Sequence, residues 1–179
     1  MRKAIFLDRD GAIIEEKEYA YESKDCILLP NSVKGLKLLK DFILIIATNQ
    51  SGIGRKMFSI KDYQKFQKYL LKKLNDNGII IKKSYFCPHL TEDKCDCRKP
   101  KPKFLHEAEK EFNIDLQNSY MIGDKKSDFE FGKNGNLKTI HVLTGYGRKF
   151  QNQINPDYIA KDLLDAAKWI LKNENNKKH

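Results

Sequence analysis

Apolar residues in this chain gather into short runs at Lys3 to Leu7, Phe42 to Ala47, Ser84 to Cys87, Ser119 to Gly123 and Lys138 to Leu143. Between the runs, apolar positions recur at helical spacing. Strand-length runs alternating with helices predict a parallel sheet covered on both faces. The runs Ala4 to Leu7 and Ile43 to Ala47 contain no polar alternation, as central strands buried on both sides require. They are expected to be neighbours.

The helical segments carry their own punctuation. Val33, Leu36, Leu38 and Leu39 follow helical spacing behind Pro30, with Asn31 or Ser32 as the N-cap, and predict a helix that makes a right-handed crossover. Ser59 caps the next helix, with Asp62 in its first turn, apolar Tyr63, Phe66, Tyr69, Leu70 and Leu74 along it and Gly78 as terminator. Further helices are expected over Lys103 to Phe112, Asp128 to Asn134 and Asp162 to Lys172. The tail Asn173 to His179 is polar and expected to fray. Residues 11–30, with Glu15-Glu16-Lys17-Glu18, Tyr19 and Tyr21, follow neither period and predict something irregular after the first strand.

At 179 residues, 40% hydrophobic and 32% charged, the chain has the size of a single domain, 1–179, with a core that needs no disulfides. No apolar run reaches the ~18 residues of a membrane span, and Ala4 to Leu7 is too short for a signal peptide, so a cytoplasmic protein is expected. The net charge is +10. Lysines lie interleaved with acids throughout, which describes a solvated surface better than a nucleic-acid stripe. Small phosphorylated anions would still be drawn in.

Chemistry concentrates at the ends of the runs. Asp8 and Asp10 stand two apart after the first strand and can share a face at the sheet's carboxyl edge, beside Gly11. Thr48-Asn49-Gln50-Ser51 follows the second strand, a hydroxyl and a polar turn suited to phosphoryl oxygens. Gly123-Asp124 ends the fourth run and brings another acid to the same edge, as oxygen ligation of a Mg²⁺-sized cation requires. Asp128 can serve that edge or act as N-cap of the following helix. Between residues 87 and 97 lie Cys87, His89, Cys95 and Cys97, which hold three of the four cysteines of the chain. Those donors suit a closed, structural tetrahedral Zn²⁺ site. Cys26 is expected to be a buried apolar residue. Arg98 and Lys99 follow directly, so a metal-tied loop would hold two cations in place.

Together these residues resemble the haloacid dehalogenase superfamily of phosphatases: Asp8-x-Asp10-Gly11, Thr48-Asn49, Lys99, and Gly123-Asp124 with Asp128 match its four motifs in order. Cys97-Arg98-Lys99-Pro100 is similar to its zinc-bearing branch, which includes the phosphatases of D-glycero-D-manno-heptose 1,7-bisphosphate and of histidinol phosphate. The resemblance implies a Rossmann-like three-layer α/β sandwich with about five strands and a minimal cap. It implies Mg²⁺ at Asp8, Asp10 and Asp124, catalysis by Asp8, Asp10, Thr48 and Lys99, and substrate contacts from Glu16, Tyr19, Asn49, Gln50, Ser51, Arg55, Arg98 and Lys125.

Ala12 stands where the family usually has Thr, and Glu18 where the heptose enzymes commonly have Gly. The expected substrate is a small phosphorylated sugar, foremost the 7-phosphate of the heptose bisphosphate. Histidinol phosphate and then a DNA 3′-phosphate are the alternatives. A zinc-bearing basic nucleic-acid module without catalysis is the rival of another class. A monomer, with neither nucleic acid nor membrane as partner, is expected.

Overall fold

A computed structural model describes residues 1–176. In chain order its elements are β1 (Ala4–Leu7), α1 (Ser32–Leu38), β2 (Ile43–Asn49), α2 (Ser51–Gly54), α3 (Ile60–Asn75), β3 (Lys83–Cys87), α4 (Lys103–Phe112), β4 (Tyr120–Gly123), α5 (Lys126–Asn134), β5 (Lys138–Val142), α6 (Gly147–Phe150), β6 (Tyr158–Ala160) and α7 (Leu163–Asn176). The strands form one sheet in the order β3-β2-β1-β4-β5-β6, and every pairing is parallel. The order reverses beside β1, whose neighbours are β2 and β4. In open sheets of this kind, the crevice at such a switch point is where ligands sit.

Strand alternation explains why β1 shows no polar face. Ile5 and Leu7 pack with Leu44, Ile46 and Ile122 against Leu36, Phe66, Leu70 and Ile170 from α1, α3 and α7. Ala4 and Phe6 point the other way, with Ile43, Ile45 and Met121, onto Phe104, Leu105 and Phe131 from α4 and α5. Each such side chain contributes about 1.5–3 kcal/mol of transfer free energy, so both layers hold the sheet and its carboxyl edge rigid.

Four local readings differ from the expectation. The sheet has six strands rather than about five. The sixth, β6, is three residues long, too short to show a period, and is placed by Asp157, whose carboxylate accepts from the Thr139 amide and hydroxyl at 2.8 and 2.9 Å. Helix α5 begins at Lys126, so Asp128 is not its N-cap but lies in its first turn and accepts from the Lys125 amide at 3.0 Å. Helix α7 continues to Asn176 instead of ending at Lys172 in a fraying tail. Its Glu174 pairs with Lys3 and accepts from the Tyr120 hydroxyl at 2.7 Å; residues 177–179 lie outside the described part. Asn31 does precede α1, but its side chain donates to Asp162 at 2.8 Å and leaves the helix start uncapped.

Elsewhere the chain follows its punctuation. Ser59 and Asp62 form a reciprocal capping box at α3. Residues 11–30 are irregular, held by bridges from Ile14 to Asp10 and Leu28 and by a short 3₁₀ turn at Ser23–Asp25. Cys26 is free and buried. No helix among the described residues is long and apolar enough to cross a membrane.

Candidate active site

Asp8 follows β1, Asp124 follows β4 and Asp128 lies in the first turn of α5; one carboxylate oxygen of each falls within 4.8 Å of the others. All three are buried. Lys99 reaches in from the loop after β3, and its ammonium donates to Asp8 at 2.9 Å, to Asp128 at 2.6 Å and to the carbonyl of Ala47 at 2.7 Å. An ammonium has three donors, and each of these is used. Burial works against the lysine charge, but Asp128 and Asp8 outweigh it and hold its pKa above the usual value. Burial likewise opposes ionisation of Asp8, yet Lys99 and Lys125 keep its carboxyl below the usual range. Asp128 is pushed up, by burial and by the Asp8 charge.

Asp124 is the unbalanced member. One of its oxygens accepts from the Tyr146 amide at 2.7 Å, while the other, Oδ1, is buried and has no partner among the described residues. Burial, together with the Asp8 and Asp128 charges, pushes its pKa up to about 8. The carboxylate is clamped between two glycines at positive φ: a Cβ on Gly11 (φ +85) or on Gly145 (φ +53) would stand 2.2 Å from its Oδ2. A buried oxygen without a donor, in a cluster of three acids with one lysine, fits a hard divalent cation.

Asp10 faces a different set of groups. Its carboxylate receives two hydrogen bonds from Arg9, both 3.0 Å, and one from the Gln50 amide at 2.9 Å. Gln50 also donates to the Thr48 hydroxyl at 2.9 Å, which leaves that hydroxyl its own proton to give. Gln50, expected at the substrate, is buried among these side chains and also lines the cavity of the site. Arg9 is fully buried and was not anticipated. The signal available was an arginine set between two acids at the end of a wholly apolar strand.

The loop after β3 is fixed at both ends. At one end, the Cys87, Cys95 and Cys97 sulfurs stand 3.1, 3.6 and 3.7 Å apart in pairs, and His89 Nδ1 lies 3.6 Å from Cys87 and 3.3 Å from Cys97. A tetrahedral zinc site has edges of about 3.8 Å between sulfurs and about 3.6 Å from sulfur to nitrogen, given its metal–ligand lengths. The four cysteines of the chain are free, so no disulfide competes. At the other end, Asn49 and the main chain of Lys99 exchange hydrogen bonds of 3.0 and 3.1 Å. Arg98 donates to the His89 carbonyl at 3.1 Å.

Asp8, Asp10, Thr48, Asn49, Lys99 and Asp128 line a cavity of ≈ 330 Å³ that also takes in Glu16, Glu18, Tyr19, Ser51 and Tyr146. Lys125 pairs with Glu16 at 2.6 Å, and the Tyr146 hydroxyl donates to Glu18 at 3.3 Å. Tyr19 turns in at φ 69. Arg55 is exposed at the end of α2 and does not line the cavity.

A HAD-hydrolase-like family model matches residues 96–166. Over 179 aligned residues the chain is 38% identical to the D-glycero-β-D-manno-heptose-1,7-bisphosphate 7-phosphatase of Pasteurella multocida, covering 95% of this chain and 97% of that one. The α-anomer enzyme of Campylobacter jejuni is 41% identical over 158 residues, 84% and 91% of the two chains. This chain belongs to the heptose-bisphosphate phosphatase family of the HAD-like hydrolases. A solved D,D-heptose 1,7-bisphosphate phosphatase from B. bronchiseptica, complexed with magnesium and phosphate, superposes with a TM-score of 0.89 at 28% identity, covering 96% of this chain and 99% of that one. As a member of the heptose-bisphosphate phosphatase family the chain is a phosphoric monoester hydrolase. Asp8, at the carboxyl edge of β1, precedes the family-model match and meets Lys99, Asp124 and Asp128 from within it.

Proposed function

We propose that this chain hydrolyses the 7-phosphate of D-glycero-D-manno-heptose 1,7-bisphosphate through an aspartyl-phosphate on Asp8. The supporting observation is the cluster at the switch point: an ionised, lysine-paired Asp8 beside an Asp124 oxygen that lacks a donor among the described residues. Asp8 attacks phosphorus, and Asp10 protonates the departing sugar oxygen and then accepts the proton of the attacking water. The Thr48 hydroxyl and Asn49 hold phosphoryl oxygens, and Lys99 takes up another as it gives up its bond to Asp8. Glu16, Tyr19, Ser51, Arg98 and Lys125 line the sugar end, with Arg55 outside the cavity. Asp8, Asp124 and the main-chain carbonyl of Asp10 would hold Mg²⁺, which neutralises charge on the transferring group when bound. Cys87, His89, Cys95 and Cys97 would hold a structural Zn²⁺, with no position left open for water.

Phosphate release with Mg²⁺ from the heptose bisphosphate, histidinol phosphate and a 3′-phosphorylated oligonucleotide tests the reading. The heptose ester should be the fastest. Asp8→Asn should lose about 10⁴-fold or more in kcat while keeping its zinc content and fold, as removal of a nucleophile does. Full activity in that variant, or preference for either other ester, would overturn the assignment.

A further inference from the structure

Asp10 is the acid–base group of the reading above, and the inference drawn here rests on that role. Its surroundings are unusual for a group that must gain and lose a proton. The Arg9 guanidinium grips it from the preceding position through Nε to Oδ2 and Nη2 to Oδ1. Gln50 adds a third donor, to Oδ2. A second Nη2 contact, 3.1 Å to Gln50 Oε1, ties the arginine to that same amide, and a third, 3.2 Å to the Ala20 carbonyl, ties it to the irregular segment over the cavity. The guanidinium lies 4.6 Å from the ring centroid of Phe66 and 5.6 Å from that of Tyr63, both on α3. Residue 12 is a buried alanine and offers no hydroxyl.

A wholly buried arginine costs several kcal/mol in desolvation unless its partners are well placed, and a hydrophobe would fill the same space against α3 without that penalty. What arginine adds is a planar fork that fixes the plane of a carboxylate. The bonds are also uneven. Each carboxylate oxygen has two lone pairs. Among the described residues Oδ2 accepts from two donors and Oδ1 from one.

We propose that Arg9, with Gln50, is a positioning residue that holds the Asp10 carboxyl in one plane and leaves Oδ1 as the oxygen that exchanges the proton. As Asp8 forms its bond to phosphorus, the ester P–O bond breaks and the proton on Oδ1 passes to the leaving sugar oxygen. When water attacks the aspartyl-phosphate, its proton returns to Oδ1, the new P–O bond forms and the Asp8–P bond breaks. Arg9 neither touches substrate nor moves a proton; it acts only through Asp10. The chain thereby gains reactivity towards esters whose alcohols leave poorly, the class to which sugar phosphates belong.

The readout is leaving-group dependence of kcat/KM, which a purely structural role would not move. Wild type, Asp10→Asn, Arg9→Lys and Gln50→Leu are compared with Mg²⁺ on the heptose bisphosphate and on 2,4-dinitrophenyl phosphate, whose phenolate departs without a proton. Asp10→Asn should lose ~10²- to 10⁴-fold on the sugar ester, the usual worth of a general acid, and less than ~10-fold on the aryl ester. Arg9→Lys and Gln50→Leu should show the same asymmetry at smaller size, about 10- to 100-fold against about threefold or less. Equal losses on both esters, or none, would overturn the proposal. Should Arg9→Lys fail to fold, Gln50→Leu decides: it leaves the ion pair in place, and whatever it costs through the Thr48 hydroxyl falls on both esters alike, so the excess loss on the sugar ester reads Asp10 alone. Equal losses in Asp10→Asn would instead sink the acid–base role itself, and this inference with it.

Discussion

A buried carboxylate oxygen without a hydrogen-bond partner destabilises the fold that contains it, and Asp124 carries one among the described residues. Its folded pKa, about 8, lies above the ordinary 3.8. In metal-free protein the native state therefore binds a proton that the unfolded chain releases, so this contribution to stability declines as pH rises from about 4 and is exhausted once 8 is passed. A divalent cation favours the ionised form and opposes the decline. Thermal melts of metal-free wild type and Asp124→Asn between pH 4 and 8 should draw together toward the acid end and separate at the alkaline end, with the variant the more stable. Added Mg²⁺ should raise the wild-type midpoint more at pH 8 than at pH 6 and leave Asp124→Asn unmoved. Parallel curves would remove the claim. At this scale the sequence was informative where a residue closes a buried strand: Asp8 and Asp124 were legible because an acid cannot follow four buried apolar positions idly. Arg9 was not legible. Strand alternation turns it away from Asp8 and Asp10, and only a side chain long enough to curl back lets it meet the latter.

Among the elements, the loop after β3 has the largest bearing on chemistry. It brings Lys99 in from outside the central strands, and its position depends on the Cys/His cluster at one end and the Asn49 amide at the other. Cys95→Ser should lose zinc to a chelator that leaves wild type loaded, and its kcat should fall by ~10²-fold, since a shift of about 1 Å at a catalytic group has that effect. Zinc analysis and phosphate release on the same samples would check this; an unaltered kcat in zinc-free protein would separate the loop from the chemistry. β1 and β2 were readable as unbroken apolar runs because they are buried on both faces, and α3 was readable from its helical period and its capping box. Short elements were not. Three residues of β6 cannot express an alternation, and the last turn of α7 is polar because its Glu174 is fixed by Lys3 and Tyr120, partners more than fifty positions away.

For the molecule as a whole, stability and chemistry sit in different places. The functional side chains come from the carboxyl ends of β1, β2 and β4 and the loop after β3, while α7 packs on the sheet face with Ile170 fully buried. Ile170→Ala should cost about 2–5 kcal/mol, as large-to-small core substitutions do, and lower Tm by roughly 5–15 °C for a chain of this size. Its kcat and KM at 25 °C should match wild type; calorimetry beside steady-state kinetics would check both. Parallel βαβ winding was legible at this scale too, whereas the strand order had to come from the structure, since nothing local in β4 announces that it crosses to the far side of β1. One detail of that winding sets where the chain could lengthen. Asp128 holds the start of α5 through the Lys125 amide with one oxygen and grips Lys99 with the other. Helix and lysine must therefore shift as one body: an extra residue between β4 and α5 would drag the lysine away from Asp8, whereas growth at the exposed tip of the segment between α6 and β6 would leave it where it is.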